Sequence, residues 1–272
     1  KIVILQGEYM LFSILLPTLG LRIQEVNRLL ESLSVQTFKD FEIVIVTQIN
    51  HEGIGRLIEQ WDMFNIQHIK IENKGLSLAR NEGLKVCKGD WIILSDDDCW
   101  YPDNALEIIK NRIEEYSPDI LLTEIYDPER KEYYKSYPAK AGKIKSKFQL
   151  MSKSSIELAI KSSIIRHNFD INLGLGAKYV CGEEVDFLLN HFKNSKIFFL
   201  PDVSVYHLKK DTKESDKQIK AKGVLYAKHY NFVIAIMICF RDLIKKKENN
   251  FRLFFEGYHE YNKGIRKVTN RR

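Results

Sequence analysis

The chain has 272 residues, of which 44% are hydrophobic, 29% charged and 11% aromatic, a composition that excludes disordered and fibrous proteins. Its net charge of +6 is unevenly distributed, because residues 1–208 carry 25 basic and 29 acidic side chains whereas residues 209–272 carry 17 and 7. The longest uninterrupted apolar run covers only residues 232–240, whereas a helix needs about 20 residues to span a bilayer. We expect one or two globular domains, no transmembrane helix and a basic C-terminal segment.

The N-terminus and the cysteines bear on the cellular compartment. Residues 1–11 lack the basic stretch, long apolar stretch and small-residue cleavage site of a signal peptide, so we expect a cytoplasmic protein. The four cysteines are widely spaced and form no CxxC pair, which argues against a disulfide framework or a structural zinc site and favours buried free thiols. We interpret residues 1–9 as an extension before a natural start at Met10.

Strand and helix patterns alternate through the first part of the chain. Short apolar runs predict four buried strands, the first of which stops at Pro17. These strands are residues 12–16, 41–46, 67–71 and 91–94. Apolar residues at three-to-four spacing predict a helix over residues 23–33, and another is predicted over residues 76–88. This βαβ series predicts an α/β fold with a mostly parallel sheet flanked by helices.

The loops after these strands meet at one edge of the predicted sheet. Right-handed crossovers place them at the carboxyl ends of the strands, where ligands bind. The loops are Pro17 and Thr18, residues 47–50, residues 73–80 and residues 95–100. We therefore expect one cleft built from segments that are far apart in the sequence.

The second half of the chain is less regular. Residues 126–153 contain four tyrosines and seven lysines but few aliphatic side chains, so we interpret them as a mobile loop that is either a solvated insertion or an acceptor contact. Regular patterns return with a turn at Gly174 and Gly176, a helix that begins near Glu183 and a strand over residues 197–200.

Three adjacent carboxylates, Asp96, Asp97 and Asp98, directly follow the fourth predicted strand. Like charges this close repel one another unless a cation lies between them. Mg²⁺ and Mn²⁺ bind carboxylate oxygens together with the phosphate oxygens of a substrate. An exposed acidic turn is the alternative, but the position at the carboxyl edge of the sheet favours a metal site for a phosphorylated substrate.

Five groups of residues occur in a characteristic order along residues 11–208. They are FSILLPT (residues 12–18), DFEIVIV (40–46), NKGLSLARNEG (73–83), GDWIILSDDDCWYP (89–102), and CGEEVDFLL (181–189) followed by LPDVSVYH (200–207). Together they resemble the nucleotide-sugar-dependent glycosyltransferases of family 2, which have a GT-A fold. No coenzyme or phosphate-loop motif competes, because GxGxxG and GxxxxGK[ST] are both absent.

The resemblance implies a donor site and a metal site. Asp96 would contact the ribose, and Asp97 would bind the Mn²⁺ or Mg²⁺ that bridges the diphosphate. Asp98 and His207 would complete the metal shell, since a neutral imidazole is a reasonable ligand for Mn²⁺. Arg80 would hold diphosphate oxygens through its forked guanidinium, with a surface salt bridge as the alternative. The implied donor-binding residues are Pro17, Thr18, Gln48, Asn73, Gly75, Arg80, Asp96 and Asp97.

Glu183 and Glu184 match the acidic pair of the family, and the second acid is its candidate base. An inverting transfer needs a carboxylate to take the proton from the acceptor hydroxyl, a contribution of about 10² to 10⁴ in rate. The alternative is that both glutamates only stabilise the positive end of a helix, by about 0.3–1 kcal/mol.

Two departures from the family pattern stand out. Many members have an acidic residue soon after the second strand, where the nucleotide base is recognised, but here Thr47 and Gln48 follow. If Pro102 sets the register, the usual Asp-x-Asp motif falls on Ser95, Asp96 and Asp97, so its first acid is missing or displaced. Two carboxylates remain, and we still expect metal binding.

The basic C-terminal segment, residues 209–272, is predicted to be helical and amphipathic. Such helices can lie in a membrane interface, where each basic residue contributes about 1 kcal/mol of attraction to anionic lipids. Packing as a helical hairpin on the catalytic domain is an equally supported alternative. Nucleic-acid binding is not expected, because no known binding module is present.

These patterns predict a GT-A-like domain over residues 1–208 and a helical extension over residues 209–272. The resemblance implies a metal-dependent inverting transferase that moves a sugar from a nucleotide-diphosphate donor, expected to be UDP-linked, to a glycan. Surface polysaccharide synthesis with a lipid-linked oligosaccharide acceptor is one expected setting, at the inner face of the cell membrane. A noncatalytic glycan- or nucleotide-binding scaffold and a sugar-nucleotide pyrophosphorylase are the alternatives.

Overall fold

The structure is a computed structural model that describes residues 10–211, 214–246 and 251–269. The expected N-terminal extension, residues 1–9, lies outside the described residues. Within the described part, ten strands form one sheet, and a separate apolar cluster packs on each of its faces.

The first half of the sheet is the predicted βαβ series. Its strands are β1 (Phe12–Thr18), β2 (Phe41–Thr47), β3 (Ile66–Lys70) and β4 (Trp91–Leu94), and its helices are α1 (Ile23–Ser34), α2 (His51–Ile58) and α3 (Leu76–Leu84). The strands pair in parallel in the order β3-β2-β1-β4. Helices cover both faces, so β1, β2 and β4 are apolar along most of their length. Helix α3 is shorter than predicted, since a turn closed by Val86 N–H on the carbonyl of Gly83 follows it.

The prediction that β1 stops at Pro17 is wrong, because β1 continues to Thr18. The carbonyl of Leu15 accepts a hydrogen bond from Ser95 N–H, so Leu15 faces β4. Backbone groups alternate in direction along a strand, and Pro17 therefore faces the same side, where β4 has already ended at Leu94. A proline is tolerated there because no ladder hydrogen bond needs its missing N–H.

The second half of the sheet is mixed. It contains β5 (Cys99–Trp100), β6 (Ile120–Asp127), β7 (Glu132–Tyr133), β8 (Gly142–Lys143), β9 (Leu158–Lys161) and β10 (Ile197–His207), with α4 (Ala105–Tyr116) after β5. Strand β9 lies between β4 and β6 and runs antiparallel to both, so the sheet continues as β4-β9-β6-β10-β5. Strand β6 is parallel to β10, and β5 closes the edge antiparallel to β10.

The interpretation of residues 126–153 as a mobile loop is wrong where the segment joins the sheet. Tyr126 completes β6, and the strands β7 and β8 pair with β6 and β10. The tyrosines are packing residues: Tyr137 stacks on Phe199 with ring centroids 6.1 Å apart. Its hydroxyl donates to Glu157 Oε1 and accepts from Ile125 N–H, which ties the segment to the sheet.

The chain after β9 is largely helical. It forms α5 (Glu183–His191) before β10 and α6 (Asp216–His229), α7 (Phe232–Lys246) and α8 (Phe251–Thr269) after it. Leu225 of α6 belongs to the apolar cluster on the face of the sheet that also carries α5. A further apolar cluster joins α6, α7 and α8. In the described ranges, none of the helices combines the length and apolar content that crossing a bilayer requires.

Candidate active site

Thr18, at the carboxyl end of β1, fixes one of the three adjacent acids. Its hydroxyl donates to Asp97 Oδ2 at 2.7 Å and accepts from Gly20 N–H at 2.9 Å. The turn at Gly20 has φ +74°, and a Cβ there would lie 2.6 Å from the carbonyl oxygen of Asn50, so only glycine fits. The loop after β1 is therefore joined to the acids that follow β4, as the parallel sheet predicts.

Asp98 is surrounded by basic side chains. His207 Nε2 lies 3.1 Å from Asp98 Oδ1, and Lys210 Nζ donates to Oδ2 at 3.0 Å. Arg22 Nη1 donates to Asp98 Oδ2 at 2.7 Å and to Asp97 Oδ1 at 2.9 Å, so that one nitrogen bridges both carboxylates. The neighbouring negative charges thus have a cation between them, as expected on electrostatic grounds.

The two carboxylates differ in pKa because of these neighbours. Burial raises the pKa of Asp97 above its usual range, despite the hydrogen bond from Thr18 and the charge of Arg22. Burial also acts to raise the pKa of Asp98, but the hydrogen bond and charge of His207 and then of Lys210 outweigh it and hold the pKa well below its usual range. Asp98 is thus the more firmly ionised of the two.

Arg80 connects the acid cluster with the start of α5. Its side chain is fully buried, with Nη2 donating to Asp96 Oδ1 at 2.9 Å and Nη1 to Glu183 Oε1 at 3.0 Å. The surface salt bridge considered from the sequence is wrong, because the side chain of Arg80 is buried. The implied contact of Arg80 with a diphosphate stays a prediction, and in this structure both terminal nitrogens hold carboxylates.

Glu184 is half-buried at the start of α5, next to the buried Glu183. Burial, and then the charge of Glu183, raise the pKa of Glu184 well above its usual range. Helix α5 begins after Gly182, whose φ of +94° turns the chain sharply into the helix. A second glycine, Gly174 with φ +104°, passes so close that an added Cβ would lie 3.2 Å from the carboxylate of Glu183. The turn predicted at Gly174 thus packs directly against the start of α5.

The other predicted donor residues occupy the carboxyl edge between β2 and α3. Gln48 Oε1 accepts from Gly75 N–H at 2.6 Å, so these two loops are joined. Pro17 is buried, whereas Asn73 is exposed. Thr47, the last residue of β2, stands where many family members have an acidic residue. Its Oγ1 lies within hydrogen-bond distance of two histidines, His51 Nδ1 at 2.6 Å and His68 Nε2 at 2.8 Å.

The residues expected to hold a divalent cation have suitable chemistry. Asp97, Asp98 and His207 offer carboxylate oxygens and an imidazole, a donor set that suits Mn²⁺ or Mg²⁺. His207 Nδ1 is buried and has no hydrogen-bond partner in the described part of the chain. Arg22, whose side chain is 46% exposed, fills the space between the two carboxylates. Over the described ranges, no three acidic, histidine or cysteine side chains converge on one preformed cluster.

Three side chains at the site were missed from the sequence. Arg22 and Lys210 contact the acids, and Ser155 Oγ lies 3.4 Å from Asp96 Oδ2. Arg22 follows β1 at the edge where ligands were expected, which could have indicated its presence at the site but not its partners. Ser155 belongs to a short 3₁₀ turn before β9, and no pattern placed that turn at the site.

Helix α6 is anchored to α5 by a buried polar group. Asp186 of α5 is fully buried; its Oδ1 lies 2.6 Å from His229 Nε2, and its Oδ2 accepts from Lys228 Nζ at 3.0 Å. Lys228 also donates to Asp170 at 2.7 Å. Of the two sequence-based alternatives for the C-terminal segment, packing on the catalytic domain is therefore confirmed for α6.

Known proteins similar to this chain are glycosyltransferases. A glycosyltransferase of Haemophilus influenzae is 37% identical over 120 residues, which are 43% of this chain and 38% of that protein. The poly(ribitol-phosphate) β-N-acetylglucosaminyltransferase TarP of Staphylococcus aureus is 25% identical over 115 residues, 40% of this chain and 35% of TarP. The chain thus aligns with well under half the length of either relative.

Solved structures resemble the fold at low sequence identity. S. aureus TarS in complex with UDP-GlcNAc gives a TM-score of 0.64 at 19% identity, covering 81% of this chain and 66% of that one. A mannosyltransferase of Pyrobaculum calidifontis in complex with GDP-Man and Mn²⁺ gives 0.58 at 13%, covering 85% and 65%. The expected GT-A-like fold is confirmed.

The family itself is identified by sequence. The sequence model of glycosyl transferase family 2 matches residues 13–174, which is more than half of the chain. The matched region includes β2 to β4, all but the first residue of β1, and the three adjacent acids. The sequence resemblance and the fold therefore agree. This chain belongs to glycosyl transferase family 2.

Proposed function

We propose that this chain transfers a sugar from a UDP-linked donor to a glycan hydroxyl with inversion at the anomeric carbon. The observation that carries the proposal is the buried Arg80, which joins Asp96 on the donor side to Glu183 on the side of the candidate base. A single buried group thus links the acid expected on the donor side to the start of the helix that carries Glu184. The UDP-GlcNAc complex of TarS supports a UDP-linked donor.

Glu184 is the proposed base. Its carboxylate would accept the proton of the acceptor hydroxyl while the new carbon–oxygen bond forms and the bond from the anomeric carbon to the diphosphate breaks. Glu183, bound to Arg80, would hold the start of α5 in place. The raised pKa of Glu184 favours proton uptake, because a carboxylate of higher pKa is the stronger base.

Asp97, Asp98 and His207 are proposed to hold the divalent cation. The charge that develops on the departing diphosphate is neutralised by such a cation when one is bound. Arg22 is partly exposed and can swing outward, which would free the oxygens of both carboxylates. Thr18 would keep Asp97 oriented in either state.

The C-terminal segment is proposed to contact the membrane through α7 while α6 packs on the catalytic domain. Val233, Met237 and Phe240 repeat at helical spacing and are exposed by 64%, 65% and 52%. Such an exposed apolar stripe beside basic residues is typical of helices that lie in a membrane interface. A lipid-linked acceptor in surface polysaccharide synthesis would fit this placement. We assign residues 1–208 to the catalytic domain and residues 209–272 to this extension.

Calorimetric titration of UDP, GDP and UDP-GlcNAc, each with Mn²⁺ and again with EDTA, tests the proposal. We expect UDP-GlcNAc to bind with Mn²⁺ and to lose at least about tenfold in affinity, equivalent to 1.4 kcal/mol, in EDTA or in Asp97→Asn. Asp103→Asn is the matched control, since Asp103 is an exposed acid shortly after the cluster.

Unchanged affinity in Asp97→Asn would remove Asp97 as a ligand. Failure of every nucleotide to bind would favour the noncatalytic scaffold. The pyrophosphorylase alternative requires a glycine-rich phosphate loop after β1, where this chain has only Gly20.

A further inference from the structure

A polar pocket of about 680 Å³ is lined by residues of β6, β7, β10 and the segments that follow β7 and β10. The side chains important here are Glu124, Tyr133, Lys135, Tyr137, Pro201 and Lys209. No residue of the pocket belongs to the family motifs except Pro201, and the proposed transfer reaction does not use any of them.

Glu124 is the unusual group in this pocket. Its side chain is only 4% exposed, and within the described residues it has no hydrogen-bond or ion-pair partner. Burying a carboxyl group without a protein partner is costly, and a bound ligand is one way to compensate the cost. Burial, and then the charge of Asp202, raise the pKa of Glu124 to about 7.

The hydrogen-bonded pairing of β6 with β10 is irregular at Glu124. The pairing of β10 with β6 shifts register twice, between Phe199 and Val203 and between Val203 and Val205, and Glu124 pairs with Val203 between the two shifts. Pro201, which has no N–H to donate, sits in the first irregularity. Bulges of this kind are common beside functional sites, where they aim a side chain away from the regular ladder.

Tyrosine rings form the outer wall of the pocket. Tyr133 is 51% exposed, with its ring edge-to-face on Tyr126 and Tyr137, so one surface of the ring remains free. Tyr137 is held by its stacking on Phe199 and by its hydroxyl. Apolar ring faces beside polar side chains suit a ligand that has both apolar and hydroxyl-bearing surfaces, as a sugar ring has.

The charges of the pocket favour a neutral ligand. The ammonium groups of Lys135 and Lys209 are already paired, with Glu157 and with Glu132 at 3.1 Å, and so leave little to attract an anion. The uncommitted Glu124 would repel an anion. Together with Lys153, whose Nζ lies 3.7 Å from Glu157, these ammonium groups also oppose a second cation.

Chain neighbours of two pocket residues contact the candidate active site. Tyr134, next to Tyr133, packs edge-on against His207 with ring centroids 5.2 Å apart, and His207 contacts Asp98. Lys210, next to Lys209, donates to Asp98. Glu124 lies two residues after Leu122 on β6, so both side chains point to the same face of the sheet. Leu122 shares an apolar cluster with Val185 of α5, and Glu124 therefore lies on the face that carries α5.

We propose that this pocket is an acceptor subsite that binds a neutral saccharide unit, with Glu124 accepting hydrogen bonds from its hydroxyl groups and Tyr133 packing against its ring. The assignment rests on the proposed glycosyl transfer, because it identifies the acceptor as a saccharide. It adds a specificity: neutral sugar units are preferred over phosphate-bearing, carboxylate-bearing or amine-bearing ones.

The probe is a printed panel of neutral, carboxylate-bearing, phosphate-bearing and amine-bearing oligosaccharides, tested with the whole chain. We expect binding to at least one neutral oligosaccharide, reduced by about tenfold or more in Glu124→Leu and in Tyr133→Ala. Tyr133→Phe keeps the ring and is expected to bind as the unmodified chain does. Lys140→Ala, at an exposed residue of the same segment, is the matched control.

Several results would overturn the subsite: no binding to any neutral oligosaccharide, binding only to charged ones, or unchanged binding in both variants. Urea unfolding of Glu124→Leu should show undiminished stability, because the replaced carboxyl has no partner to lose. If that variant does not fold, Tyr133→Ala at an exposed position still decides the question.

Titration of UDP-GlcNAc in the same proteins separates the two proposals. Normal donor binding with normal oligosaccharide binding in the variants overturns only the subsite. Absent nucleotide binding in the unmodified chain overturns the proposed transfer, whatever the panel gives.

Discussion

The buried Arg80 joins two acids of the candidate active site. A fully buried guanidinium is costly to desolvate, and it is tolerated here because Asp96 and Glu183 both compensate its charge. One of the two carboxylates follows β4, and the other belongs to the first residue of α5. Their separation is therefore fixed before any substrate binds, which is the kind of preorganisation that lowers the cost of reaching a transition state.

Glu184→Gln tests the base at this scale. We expect transfer to fall by about 10² to 10⁴ while donor affinity is unchanged, because the amide cannot take up the proton but keeps the shape of the side chain. Release of UDP from UDP-GlcNAc with acceptor present measures the rate. Glu72→Gln, at an exposed acid, is the control.

The pH profile gives an independent check on Glu184. Its pKa is raised, so the group is protonated and inactive at low pH, and the rate should increase as pH rises through that pKa. Transfer by Glu184→Gln at the normal rate would contradict the assignment.

Individual residues were predictable where sequence neighbours carried the signal. The triplet Asp96 to Asp98 follows a buried strand, and Glu183 and Glu184 begin a helix, so their locations could be predicted. Arg22 and Lys210 reach Asp98 from positions 76 and 112 residues away along the chain. A side chain's partner across such a distance depends on the completed fold, and a single sequence does not encode it in any local pattern.

At the scale of elements, the packing of α6 on α5 supports the candidate base. Asp186 lies two residues after Glu184 on α5 and accepts from Lys228, with His229 Nε2 also at 2.6 Å. The three side chains are 0%, 21% and 7% exposed, so water screens their interaction poorly. The C-terminal segment thereby fixes the helix that carries Glu184. This segment lies outside the region that matches the family.

Asp186→Ala tests this support. We expect a loss of about 1–3 kcal/mol in unfolding free energy, since His229 loses its buried acceptor and Lys228 keeps only Asp170 as a counter-charge. Urea denaturation measures the loss, and limited proteolysis should show earlier cleavage of α6.

The matched control is Glu256→Ala, which breaks the exposed pair with Lys220 and should cost no more than about 1 kcal/mol. Equal stability of the two variants would mean that the buried group does not hold α6.

Elements were predictable where burial was uniform. Strands β1, β2 and β4 appear as continuous apolar runs because helices cover both of their faces. Strand β10 was predicted only to Leu200, since Pro201 and Asp202 at the register shift interrupt the apolar run. Strand β9 was missed because its four residues are too few to give a periodic signal.

At the scale of the whole molecule, the sheet consists of two halves joined by one reversed strand. Trp91 of β4 pairs with Lys161, and Ile120 of β6 pairs with Ile160, so β9 is hydrogen-bonded on both sides. No other strand of the described sheet connects β4 to β6. Both apolar clusters extend across this junction, and the integrity of the core depends on it.

This arrangement sets an order of events during synthesis on the ribosome. The β1–β4 half can assemble as soon as it emerges, but the edge of β4 stays open until Lys161 has been made, on the order of several seconds later. Open strand edges attract other strands, so the nascent chain passes through an interval that is prone to association.

Arrested nascent chains can reveal that interval. With the chain exposed only to Leu150, we expect proteases to cleave β6 readily, whereas exposure to Tyr230 should protect it. Protection at the shorter length would mean that β6 docks without β9. The position of a four-residue strand thus determines when, as well as how, the two halves of the enzyme become one.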